Sequence, residues 1–225
     1  MIPTLLPPFM QGLMGYPVID VGYLLAPRGV GTMFAMMLVG RLSGRVDVRI
    51  LILLGLLLTS FSMWEMTLFN TDISSWDIVR TGIVQGLGLG FIFVPLSTIT
   101  FATLAPRYRN EGTALFSLVR NIGSSIGISV VITYLAQRTQ MNHEVFASYI
   151  TPFNAGLQQG MGTAALVTPK GLAMLNGEVT RQASLLAYLQ DFRLMMWVSL
   201  CAIPLVLLLK APKRGGGKEA LAILE

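Results

Sequence analysis

Charge is what this sequence has least of. Only 12% of its 225 residues are Asp, Glu, Lys or Arg, about half the share of an ordinary soluble domain. Hydrophobic residues reach 53% and the mean hydropathy is +0.66. No charge occurs in the 26 residues of 81–106, nor in the 15 of 50–64. About 20 apolar residues rising 1.5 Å each cross the hydrocarbon of a bilayer, so such runs read as membrane spans. This composition excludes a soluble enzyme.

Cysteine and histidine are nearly absent. The single Cys201 allows no intrachain disulfide and, inside an apolar run, reads as a small buried hydrophobe. His143-Glu144 opens like a zinc-binding helix, but Ala147 stands where the second histidine is needed. With one histidine and one cysteine no structural zinc site can be built. Gly215-Gly216-Gly217-Lys218 suggests a phosphate loop, yet Glu219 follows the lysine and no strand precedes the glycines. The expectation is a protein that is not an enzyme, holding no metal and no cofactor.

The basic residues that are present are placed systematically. A net charge of +5 and a pI of about 9.7 would raise nucleic acid as a partner in a soluble chain. Here the basic residues sit at the ends of apolar runs, where orientation signals belong, and no nucleic-acid partner is expected. Five spans can be drawn, at about 21–42, 50–69, 76–104, 112–136 and 194–209, the last extended upstream by an amphipathic stretch from Glu178. The first turn holds Arg41, Arg45 and Arg49, the third holds Arg107 and Arg109, and the tail holds Lys210, Lys213, Arg214 and Lys218. The other side has Arg138, Lys170 and Arg181. The basic excess puts the two short turns and the C-terminus in the cytoplasm.

That orientation puts the start of the chain outside. Residues 1–11 carry no basic n-region and are interrupted by Pro3, Pro7 and Pro8, so they are no signal peptide. They read as the end of a preceding transmembrane helix, and the chain as a fragment lacking an N-terminal portion. The remaining organisation is four helices with short turns (12–136), an external segment with short amphipathic helices (137–191), a last helix (192–210) and a cytoplasmic tail (211–225). In the external segment Pro152, Gly156, Gly160 and Gly162 are breakers. Thr168-Pro169 starts a helix that Asn176-Gly177 is expected to close. The stub with two spans, then three spans more, make two triplets, which suits an inverted-repeat transporter half.

Polar residues at membrane depth are the candidates for function, because each needs a partner or a watery cavity. Arg28 in the first span and Glu65 in the second lie at similar depth on antiparallel neighbours and could pair, as a gate or substrate contact or as snorkelling interfacial charges. Arg120 lies about two turns inside the fourth span, followed by Asn121. Gln85 could bond a substrate or a neighbouring helix. Gly82, Gly86 and Gly90 repeat at four-residue spacing with Pro95 beyond, and Gly123 and Gly127 form a second small face. Such faces let helices approach closely, and the proline permits a kink. Gly40, Arg41, Arg45, Asp47 and Arg49 crowd the first turn, where Asp47 could tie an arginine.

The pattern Gly40-Arg41-x-x-x-Arg45-x-Asp47-x-Arg49 is similar to the cytoplasmic signature that follows the second helix of a major facilitator half. With Ala26-Pro27-Arg28-Gly29-x-Gly31, Gln85-Gly86-x-Gly88-x-Gly90-Phe91-x-Phe93-x-Pro95-Leu96 and Arg120-Asn121-x-Gly123-x-Ser125-x-Gly127, the chain resembles the C-terminal part of the fourteen-helix drug:proton antiporters of the EmrB/QacA type. Asn154, after Pro152-Phe153 in the long external segment, fits as well. The resemblance implies an all-α membrane protein, the C-terminal half of a major facilitator fold, with five full transmembrane helices plus the end of a preceding one. By it the stub is the end of helix 9 and the spans are helices 10 to 14. It implies a bacterial inner-membrane protein that exports hydrophobic compounds in exchange for protons, its energy source being the proton gradient. The implied partners are the lipid bilayer, a hydrophobic small molecule and an N-terminal bundle missing here. In Gram-negative relatives a periplasmic adaptor and an outer-membrane channel join them. The family's proton-carrying acids lie mainly in its N-terminal half, leaving Glu65 as the local candidate for proton coupling. The alternative is a truncated, non-transporting membrane module or assembly partner.

Overall fold

The computed structural model describes residues 2–42, 45–102, 104–151 and 168–208, and among these described residues the elements are helices joined by turns. The elements are α1 (Ile2–Gly12), α2 (Val18–Leu42), α3 (Val48–Met66), α4 (Ser75–Ala102), a 3₁₀ turn (Pro106–Tyr108), α5 (Arg109–Ser148) and α6 (Pro169–Leu207). Five of them, α2 to α6, are long and apolar enough to cross a membrane. At 11 residues α1 is too short to do so, and it stays helical through Pro7 and Pro8. Gly15, with φ +72°, makes the reversal between α1 and α2 in a backbone conformation other residues rarely adopt.

The bundle closes because α4 is nearly bare on two sides. Towards α2, a Cβ on Gly86 would collide with the backbone carbonyl of Arg28, and one on Gly90 would stand 2.5 Å from the Ala35 methyl. Gly31 answers from α2, where a Cβ would lie 2.6 Å from the Ile83 carbonyl oxygen. Towards α3, Gly88 faces Gly55 so closely that a Cβ on Gly55 would meet the Gly88 carbonyl oxygen at 2.7 Å. In lipid, where burial of apolar surface gives helices no reason to associate, such backbone approach supplies the attraction. Ser62 adds a buried hydrogen bond across the same interface, donating to the Thr81 carbonyl at 2.9 Å. Pro95 is buried within α4, and the Ser97 and Thr98 hydroxyls both donate to the Val94 carbonyl at 2.9 Å beside it.

Three of the four principal contacts run between the two expected triplets, α2 and α3 packing on α4 and α3 on α6, while α5 packs on α6 within the second. The largest core cluster lies at one end, where Leu5, Leu6, Phe9 and Met10 of α1 are buried against Met63 and Met66 of α3, Val131 of α5, and Tyr188, Phe192 and Met195 of α6. The helices past this end differ from the sequence expectation. The fourth span continues to Ser148, giving a helix of 40 residues. The expected stop at Asn176-Gly177 does not occur, and α6 runs unbroken for 39 residues. Its start is at Thr168-Pro169, where the Thr168 hydroxyl accepts from the Gly171 amide at 3.2 Å. Asn176 is held by His143 of α5, its Oδ1 lying 3.0 Å from Nε2, and Asn142 donates to the Ala183 carbonyl at 3.3 Å. These cross-links carry α6 through a residue pair that ends helices elsewhere. Pro152, Asn154, Gly156, Gly160, Gly162 and the basic tail lie outside the described residues.

Gly123 on α5 faces open space, so it packs on no helix among the described residues. Gly86→Ala is therefore expected to destabilise the detergent-solubilised chain by about 1–3 kcal/mol, the cost of forcing packed backbones apart. Gly123→Ala should leave stability unchanged or slightly raised, because a helical alanine replaces a helical glycine without a clash. Denaturant unfolding of the two variants checks this, and equal losses would contradict the close-approach account.

Candidate transport site

The residues singled out from the sequence divide into three places. The first is a cavity of about 460 Å³ at the meeting of α2, α3, α4, α5 and α6. Arg28 lines it from α2, Thr59 and Met63 from α3, Leu89 from α4, Gly127 and Val131 from α5, and Met195 and Ser199 from α6. Arg28 arrives there because its carbonyl is clasped by Gly86, while the Thr32 hydroxyl donates to that same carbonyl at 3.0 Å. The walls are mostly apolar with a few polar groups: Ser199 Oγ is buried without a partner, and the Thr59 hydroxyl donates to Gly55. That balance suits a hydrophobic ligand oriented by a small number of polar contacts. Gln85 sits on the turn of α4 between Gly82 and Gly86, 2% exposed, and neither atom of its amide has a hydrogen-bond partner. A buried amide left open in this way needs a visiting partner or a bound water.

The second place is the end of α3. Glu65 does not pair with Arg28. Its Oε1 lies 2.8 Å from Nη2 of Arg80 on α4, with side-chain exposures of 12% and 52%. Arg80 also stands 4.0 Å from Asp77. α2 and α3 each pack on α4 rather than chiefly on one another, and Arg80 in the second turn of α4 supplies the cation. Arg80 stands immediately before the uncharged run of the third span, and that position is the signal that could have found it.

The third place is α5, of whose 40 residues only Val131 is buried among the described contacts. Arg120 stacks over Phe93 of α4, 5.7 Å from the ring centroid, and Asn121 beside it is exposed. Helical spacing of 3.6 aligns Thr113, Ser117, Arg120, Asn121 and Ser124 in one stripe. Leu115, Leu118, Val119, Ile122 and Ile126 occupy the opposite side and are exposed too. The stripe points along the helix to Gly127 on the cavity wall. The sequence pattern marks Arg120 and Asn121, and Ser124 as part of a small packing face, but not Thr113 and Ser117 in register with them. Gly123-Ser124-Ser125-Ile126-Gly127 has the spacing of a serine nucleophile elbow, but it lies mid-helix rather than at a strand-to-helix turn.

In the turn between α2 and α3, Gly40 and Arg41 are exposed at the end of α2, and Arg45 is exposed beyond it. Asp47 is the N-cap of α3 and makes no side-chain cap hydrogen bond. Arg49 opens α3 with its Nε buried and unpartnered. The three arginines share no single helix, since α2 ends at Leu42 and α3 begins at Val48. No group of three or more metal-ligating side chains occurs among the described residues.

One acid was missed altogether. Asp191 lies inside α6, is 0% exposed, and neither carboxylate oxygen has a hydrogen-bond partner.

Comparison with known proteins gives a match to the family model described as the Major Facilitator Superfamily over residues 1–128. The fatty acid resistance protein FarB of Neisseria gonorrhoeae is 30% identical over 220 residues, covering 95% of this chain and 43% of the relative. The multidrug export protein EmrB of Escherichia coli K12 is 24% identical over 221 residues, with the same two coverages. EmrY of the same strain, a probable multidrug resistance protein, is 26% identical over 195 residues, or 85% and 38%. The chain thus spans less than half the length of these relatives.

The ion pair gives a direct check on the geometry. A double-mutant cycle of Glu65→Gln with Arg80→Ala is expected to return a coupling of about 0.2–1 kcal/mol, the range for a pair with an exposed partner. The same cycle with Arg28→Ala should return a coupling indistinguishable from zero. Unfolding of the purified variants measures both, and the reverse ranking would contradict the pairing.

Proposed function

Since the chain belongs to the major facilitator superfamily, whose members are transporters and not enzymes, we propose that it forms the C-terminal part of a proton-coupled multidrug exporter of hydrophobic compounds working by alternating access. The observation that carries this reading is the polar stripe of α5 leading to the cavity wall at Gly127. A membrane-crossing helix keeps such a stripe only where it borders water, a polar ligand or another protein. An N-terminal bundle closing over α4 and α5 would turn the stripe, with Arg120 and Asn121, into one side of a transport path. Arg28 and Gln85 would then meet the substrate at its inner end.

Relatives named for fatty acid resistance and for multidrug export support a hydrophobic substrate. The basic residues of the two short turns and the tail support a bacterial inner-membrane protein with a cytoplasmic C-terminus. A periplasmic adaptor and an outer-membrane channel are the further partners this reading implies, and the ends of α5 and α6 that outrun the bilayer would be where an adaptor docks.

Efflux of a fluorescent hydrophobic cation tests the proposal in cells stripped of their own exporters. The chain is expressed alone, and also joined behind the part of the gonococcal relative that it does not match. Transport is expected from the joined form and not from the chain alone. In the joined form Arg28→Ala should lower efflux by about tenfold at equal expression, the equivalent of losing one charged hydrogen bond of about 1.5 kcal/mol. Silence from a joined form that reaches the membrane would favour a non-transporting membrane module instead.

A further inference from the structure

Asp191 is placed where an ionised carboxylate is hardest to hold. It occupies the buried face of α6 between Tyr188, one turn before it, and Phe192 and Met195 after it, all members of the same apolar cluster. The ring of Phe9 from α1 stands edge-on to both aromatic neighbours, 5.3 Å from Tyr188 and 6.1 Å from Phe192, so α1 packs directly over this stretch of α6. Phe69 closes the same stretch, 6.4 Å from Phe192.

No charge answers the carboxyl from any helix packed there. The buried face of α1 is Leu5, Leu6, Phe9 and Met10, with nothing titratable. On α3 the acid is Glu65, already held by Arg80 of α4. On α5 the cation is Arg138, stacked over Tyr134 at 4.9 Å. On α2, Asp20 is exposed and Arg28 lines the cavity. On α6 itself Arg193 is exposed, and Tyr188 is the titratable group within electrostatic reach. A carboxylate without water, a cation or a donor is the form such a site rejects, and the neutral acid is the form it accepts.

We propose that the Asp191 carboxyl is a proton-binding site, neutral in this conformation, and that it is the proton carrier of this part of the chain. Its role in coupling rests on the exporter reading above, whereas its protonation does not. The step is acid dissociation alone: the O–H bond breaks, its electron pair stays on the carboxyl oxygen, and the proton passes to water. Water reaches the carboxyl only when the helices packed on α6 part from it, so proton release and helix movement are one event. Glu65, by contrast, is paired with Arg80 and partly exposed.

Infrared spectroscopy of the full 225-residue chain in lipid vesicles tests this without any transport assay. The C=O stretch of a protonated carboxylic acid is expected at neutral pH and is expected to be lost in Asp191→Asn. Aspartate labelled with ¹³C should shift that band and labelled glutamate should not, a readout that holds even where the asparagine variant fails to fold. Asp191→Glu should restore a neutral-acid band. Absence of the band at neutral pH, or its survival unchanged in Asp191→Asn, overturns the proposal. In the joined exporter, Asp191→Asn should abolish the dependence of efflux on the proton gradient while Asp191→Glu retains it. Gradient-driven efflux undiminished in Asp191→Asn overturns the carrier role and leaves the exporter reading standing. A joined form that moves no drug but keeps the aspartate band sinks the exporter reading and leaves the proton site.

Discussion

The contact between the backbone of α2 at Arg28 and the backbone of α4 at Gly86 sets the positions on which the rest depends. Because no side chain intervenes, α4 can lie against α2 along one row of glycines and against α3 along another, through Gly88 and Gly55. The consequence for the site is directional. Arg28, with its carbonyl fixed at the helix crossing, reaches the cavity, and Gln85 is carried into the interior on the adjoining turn. A wider helix spacing would admit other contacts for both side chains. Close packing thus does chemical as well as mechanical work here, by putting polar groups where lipid cannot reach them.

Charge within the bundle is handled in four different ways. Glu65 is neutralised by Arg80 near the end of its helix, where half of the arginine remains exposed. Arg28 lines a cavity, and Arg120 lays its guanidinium on the Phe93 ring at a surface that no other described helix covers. Asp191 is buried with no hydrogen-bond partner among the described residues. Physical cost ranks these solutions, since a paired or water-facing charge is tolerable at membrane depth and a bare one is not.

Sequence pattern reveals most of the fold, because a run such as 81–106 has no other stable reading. It placed the spans within a few residues at α2, α3 and α4. It failed where helices outrun the membrane: α5 continues twelve residues past Ala136, through polar stretches that hydropathy counts as loop. Asn176-Gly177 was an apt stop signal in isolation, but tertiary hydrogen bonds from His143 and Asn142 outweighed it. The same shortening hid Asp191. With the last span begun at Leu194, an acid three residues earlier looked external. Its burial comes from the helices packed on α6, and a one-dimensional pattern carries no information about those contacts. Arg80 was lost in the same way, as a charge at a span's edge whose partner belonged to another helix.

Lipid alone does not account for α5. Its side with Leu115, Leu118, Ile122 and Ile126 is at home against acyl chains, which need no specific partner. The stripe of Thr113, Ser117, Arg120, Asn121 and Ser124 is not. The Thr113 hydroxyl can satisfy itself on the Arg109 carbonyl at 2.8 Å, as hydroxyls in membrane helices do. A guanidinium and a carboxamide cannot fold back in that way. Arg120 finds an aromatic face but no anion among the described residues, and a cation over a ring still presents its hydrogen-bond donors outward. The surface they form must meet water or a polar surface of another helix bundle. In a transporter both conditions hold by turns, the path being wet when open and closed by the opposing bundle when shut. On the exporter reading proposed above, one stripe on one helix serves both states of the cycle.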